Sequence, residues 1–166
     1  MTDTEAFLSQ ARSDFRVFKQ LARVSDMDCC HLLHYLQMST EKLAKSARIR
    51  IGQHGAAEHS HVAITKLLGA MKHNINAAEA LGMKERQFTA TLTRLRGDFD
   101  LIEKLAPATS TSGINAEYPW KLPSGRWIAP CDFDFRTEPY SSLMSNTSLL
   151  KFIECILDKF DVVFEE

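Results

Sequence analysis

Cys29-Cys30-His31-Leu32-Leu33-His34-Tyr35-Leu36-Gln37-Met38-Ser39-Thr40-Glu41-Lys42-Leu43-Ala44-Lys45-Ser46-Ala47-Arg48-Ile49-Arg50 is the stretch that decides the fold class. Within it Cys29, Leu33, Leu36, Thr40, Leu43 and Ala47 recur every three or four positions, the period of a helix with a buried face. Val24-Ser25-Asp26 offers N-cap residues before it. Gly52 and then Gly55 suit a left-handed turn after it, so the expected helix covers about 27–51. A second stripe of His31, His34, Met38, Glu41 or Lys42, and Lys45 descends the neighbouring face. Such a helix is covered on two sides or presents a site.

The same period extends in both directions. Phe7, Ala11, Phe15, Phe18 and Ala22 predict a first helix over about 4–23, with Thr4 as its cap and Glu5 in its first turn. Ser60 is the expected cap of a third helix bearing Val62, Ile64, Leu67, Leu68 and Met71. Phe88, Leu92, Leu95, Phe99, Ile102 and Leu105 mark helix over about 77–105, with a boundary or bend at Gly82. From 107 to 145 the helical period disappears, and all five prolines lie there. Tyr118-Pro119-Trp120 and Arg126-Trp127-Ile128 read as two extended pieces around a Pro-Ser-Gly turn, with enough aromatic residues nearby to pack on the helices. Leu149, Phe152, Ile153, Ile156, Phe160 and Val163 predict a last helix over about 146–164. The expected fold is all-α: an antiparallel four- to five-helix bundle, one domain over 1–166, with a long irregular, aromatic-rich insertion before the last helix.

Composition agrees with a globular chain. At 166 residues, 45% hydrophobic and 25% charged, with a mean hydropathy of -0.20, the protein can bury a core without disulfides. The four cysteines form no CxxC motif and predict reduced thiols. No apolar run reaches membrane-spanning length, and the polar, acidic start is unlike a signal peptide, so the expected location is cytoplasmic. A net charge of -1 argues against indiscriminate nucleic-acid binding. That total conceals an asymmetry: residues 1–106 hold 15 Lys/Arg against 12 Asp/Glu, and residues 107–166 hold 5 against 9. A local anion site on the helical part is therefore compatible with the total.

The run His34 to Ser46, together with Asp14 and Ser60-His61 leading to Leu67-Leu68, resembles HEPN domains, whose pattern places Gln, Glu-Lys and Lys at the spacing of Gln37, Glu41-Lys42 and Lys45. The likeness covers about residues 7–105. Tyr118-Pro119 also resembles a later element of that family, although Glu117 stands where Arg is common. The resemblance implies a four- or five-helix bundle, usually a homodimer. It further implies membership among metal-independent ribonucleases of toxin-antitoxin and antiviral defence systems, non-catalytic partners of nucleotidyltransferases, or nucleotide-binding modules. Fold alone does not choose among these.

The residues favour a nucleotide- or RNA-associated binding or regulatory module. Gln37, Lys42 and Lys45 supply donors and charge, and His61 lies where helix N–H groups favour an anion. The alternative is a metal-independent RNA endonuclease in which His54 moves a proton and Arg48 stabilises phosphate charge, from the pair spaced Arg48-x5-His54. Ile49 replaces the polar residue that follows the Arg in family nucleases, and the pair sits at the end of the second helix where many members carry it on a late one. A third reading is a structural protein-interaction module. The histidines His31, His34, His59 and His61 lack neighbours at metal-ligand spacing, so neither metal nor cofactor is expected.

Overall fold

The computed structural model describes residues 1–52, 64–72, 74–106 and 113–165. The fold is all-α, with the long helices α1 (Asp3–Leu21), α2 (Cys29–Arg50), α5 (Glu85–Lys104) and α7 (Thr147–Asp158). Shorter helices are α3 (Ile64–Met71), α4 (Ile75–Ala80), α6 (Tyr140–Ser145) and α8 (Phe160–Val163). One two-stranded antiparallel ladder joins β1 (Trp120–Lys121) to β2 (Trp127–Ile128). Among the described residues, no helix is long and apolar enough to cross a membrane.

Helix α1 starts earlier than the first apolar residue suggests. Thr2, not Thr4, is the N-cap: its Oγ1 accepts the Glu5 N–H at 3.2 Å, while Glu5 Oε2 accepts the Thr2 N–H at 2.7 Å. This reciprocal capping box needs Thr and Glu three residues apart, a spacing that Thr4 lacks. The buried face consists of Leu8, Ala11, Phe15 and Phe18, and Phe7 is only half-buried at its edge.

Two hydrogen bonds set α1 antiparallel to α2. Ser46 Oγ donates to the Thr4 carbonyl at 2.8 Å, and Ser39 Oγ donates to the Ala11 carbonyl at 2.9 Å, so rising numbers on one helix meet falling numbers on the other. The small serine side chains let the two backbones approach. Buried residues on α2 include Cys30, Leu33, Leu36, Leu43 and Ala47 but also Gln37, Ser39, Thr40 and Arg48. That breadth reflects its position: α1, α3, α5 and the turn at Pro130–Asp132 all pack on it. Cys30, rather than Cys29, enters the core at the first turn.

The break at Gly82 separates α4 from α5, with Gly82 at φ +66°. Gly52 ends α2 at φ +74°. Both positions favour glycine, since a Cβ is strained there. The proposed start of the third helix at Ser60 lies outside the described residues, as does Gly55. The last helical stretch is not continuous: α7 stops at Lys159, and α8 is a separate single turn whose Phe160 and Val163 remain in the core. Arg12 of α1 donates to the Leu157 carbonyl at 3.0 and 2.7 Å, satisfying a C-terminal acceptor of α7.

The segment expected to be irregular contains the ladder, with Trp120 opposite Ile128 and Lys121 opposite Trp127. Side chains alternate across a strand, so Trp120 turns inward and is 2% exposed, whereas Trp127 turns outward and is 57% exposed. Trp120 meets Phe133 edge-on at 5.4 Å between ring centres, and Phe135 and Tyr140 complete that aromatic cluster. These rings join the core shared by the helices.

Candidate functional site

The polar face of α2 predicted from its spacing meets α1. Lys42 Nζ donates to Asp14 Oδ2 at 2.6 Å, and the other Asp14 oxygen, Oδ1, accepts from Gln10 Nε2 at 2.8 Å. At the position beside Lys42, Glu41 accepts from Gln37 Nε2 at 2.8 Å on Oε2 and from Lys45 Nζ at 2.6 Å on Oε1. Asp14 and Gln37 are buried, and the side chains of Glu41, Lys42 and Lys45 are largely withdrawn from solvent. Lys45 also stands 5.9 Å from the centre of the Phe7 ring. The result is a seam of two carboxylates, two ammonium groups and two amides.

Helical geometry explains the seam. Gln37, Glu41 and Lys45 are successive i,i+4 neighbours, so each side chain lies over the next turn. Lys42 points one residue further round, toward Asp14 on α1. The two positive and two negative charges balance. An incoming phosphate at Lys42 or Lys45 therefore competes with a carboxylate already at hydrogen-bond distance, and the low local dielectric strengthens that competitor.

His34 extends the seam. Its Nδ1 lies 3.9 Å from Glu117 Oε2, and its ring meets Tyr35 edge-on at 5.2 Å. Burial, the largest influence, lowers the His34 pKa below its ordinary value; Lys42 and His31 lower it further, while Glu117 and Asp14 act in the opposite direction. A lowered pKa makes neutral imidazole the dominant form at neutral pH. Glu117 also raises the pKa of the exposed Tyr118 by accepting its hydroxyl hydrogen bond and by like-charge repulsion of the phenolate.

The structure thus brings Gln37, Lys42 and Lys45 together, but through carboxylates in pairs that α1 and α2 themselves supply. Arg48 is 5% exposed, on the inward side of α2. His54 and His61 lie outside the described residues. Sequence spacing alone did not single out Gln10, Ser39 or Ser46, which complete the contact between α1 and α2. Ser39 and Ser46 are seven residues apart, and this spacing beside the apolar stripe was the available signal for a second helix lying against them. Away from α1, Glu103 of α5 accepts the Ile64 and Thr65 N–H groups at 2.7 and 3.1 Å and the Thr65 hydroxyl at 2.8 Å, holding the start of α3 against α5.

No protein-family model, curated protein or solved structure matches this chain.

Proposed function

We propose that this chain is a HEPN-like, non-catalytic module that binds RNA or a nucleotide, with the seam between α1 and α2 acting as its scaffold. The observation that weighs against cleavage is the burial of Arg48. A phosphate-stabilising guanidinium must reach the charge that develops on the phosphoryl oxygens. Arg48, at 5% exposure, is not presented in that way within one chain. The ligand class rests on the resemblance of the His34 to Ser46 run, and the same resemblance adds assembly as a homodimer, a nucleotidyltransferase partner and a role in defence to the proposal.

Two measurements decide between binding and cleavage. A labelled RNA is incubated with wild type and with His54→Ala in EDTA, and its anisotropy and its length are followed. Retarded tumbling with an intact strand in both proteins supports the module. Cleavage by wild type that His54→Ala abolishes overturns it in favour of the endonuclease. Sedimentation of the purified protein tests the dimer.

A further inference from the structure

Helices α3 and α5 pack side by side and leave a cleft of about 240 Å³ between them. Leu68 and Leu92, both buried, form its apolar floor. Lys72, just past the end of α3, and Arg96 from α5 line it together with Thr65 and Thr93. The spacing explains the convergence: Thr65 and Gly69 share one face of α3, Lys72 follows that face just past the helix end, and Thr93 and Arg96 share one face of α5.

Two features distinguish this cleft from the seam on α2. Its described lining contains two cations and no carboxylate. Neither Lys72 nor Arg96 has a hydrogen-bond or ion-pair partner among the described residues, in contrast to Lys42 and Lys45. The nearby Glu103 carboxylate is occupied by the start of α3 and by the Thr65 hydroxyl. The exposed Thr93 hydroxyl donates to the Thr89 carbonyl of its own helix, a bond it can exchange by rotation. Gly69 contributes to the opening, because a Cβ built there meets nothing within 4 Å.

We propose that the cleft between α3 and α5 binds a phosphate group of an RNA strand or nucleotide, with Lys72 and Arg96 as its cationic ligands and the Leu68–Leu92 floor beneath the sugar or base. This rests on the RNA- or nucleotide-binding reading above and supplies the place that the paired lysines of α2 do not. Arg96 offers a planar fork of donors to two phosphoryl oxygens, and Lys72 adds a point charge from just past the end of the facing helix. The apolar floor excludes water from one side of the contact.

The test is fluorescence anisotropy of a labelled oligouridylate over a series of salt concentrations. Lys72→Gln and Arg96→Gln are each expected to weaken binding about tenfold, and the double variant is expected to reduce the salt slope by about 0.7, the contribution of one phosphate contact on a single strand. Gly69→Leu keeps both charges but projects a side chain into the cleft, and a similar loss is expected. Lys121→Gln combined with Lys151→Gln removes the same charge elsewhere and is expected to bind as wild type does. Circular dichroism melts establish that every variant is folded. Wild-type affinity in the Lys72/Arg96 double variant, with RNA still bound by wild type, overturns the cleft and leaves the RNA reading standing. Absence of binding by wild type even at low salt overturns both. Competition by uridine monophosphate identifies a free nucleotide as sufficient, and competition by unlabelled strand alone assigns the phosphate to a chain; each supports the site only when the Lys72 and Arg96 variants lose the competed binding.

Discussion

The Lys42 ammonium and the Asp14 carboxylate meet at 2.6 Å across the interface of α2 and α1, with the Asp14 side chain 7% exposed. The pair joins two helices whose apolar faces already match, and it fixes how far one can slide along the other. Its value lies in completion: each charge has been withdrawn from water and depends on the other.

Removing one partner is therefore expected to be worse than removing both. Lys42→Met leaves the Asp14 carboxylate buried with the Gln10 amide still donating to it but the Lys42 cation gone, and a loss of about 3 kcal/mol is expected. Asp14→Leu combined with Lys42→Met should recover much of it. Urea denaturation of the four proteins in a double-mutant cycle measures the coupling, and additive losses would contradict it.

His34 predicts acid sensitivity. Its folded pKa lies below the ordinary 6.5, so the unfolded chain binds the proton more readily. The stabilising effect of neutral His34 is present above about pH 6.5 and is lost as the pH falls toward and through its lowered folded value. His34→Gln should flatten the decline in melting temperature over that range, relative to wild type. An NMR titration of the His34 ring that gives a midpoint at or above 6.5 would reject the assignment.

Asn146 links two helices with one amide. Its Oδ1 accepts the Leu149 N–H at 3.1 Å as the cap of α7, and its Nδ2 donates to Asp98 of α5 at 3.0 Å. Asn146→Ala is expected to cost about 1 to 2 kcal/mol, since both bonds disappear. Asn146→Asp retains the cap acceptor but sets a second carboxylate against Asp98, whose pKa burial already raises. That variant should lose more stability at pH 8 than at pH 5, as chemical denaturation at the two pH values will show.

Two glycines should respond in opposite senses to the same substitution. Gly82→Ala places a Cβ at φ +66° and is expected to destabilise by about 1 kcal/mol. Gly97→Ala lies within α5, where an added Cβ meets nothing within 4 Å, and should stabilise by about 0.5 to 1 kcal/mol. Thermal melts of both variants provide the comparison.

Apolar period was enough to place the long helices, because a buried stripe at three- and four-residue spacing records which face meets the core. Leu92, Leu95, Phe99 and Ile102 are buried on α5 as that spacing requires. Chain breakers also acted locally: Gly82 ended α4, and Pro123-Ser124-Gly125 turned β1 into β2. The errors were equally local in origin. Thr2 displaced Thr4 as a cap because hydrogen bonding outranked the first apolar position, and Lys159 interrupted a pattern that stayed apolar on both sides.

The sequence by itself determined an all-α protein with a closely spaced polar stripe on α2, since helical period and i,i+4 proximity depend only on neighbours along the chain. The tertiary structure alone decided what that stripe does within the fold. Lys42 points to Asp14, twenty-eight residues away, and this pairing comes from the antiparallel docking of α1 on α2. The packing of α3 against α5 left Lys72 and Arg96 at one cleft without a carboxylate partner among the described residues. Charge listed along a sequence has no distances between helices, and electrostatic competition depends on those distances.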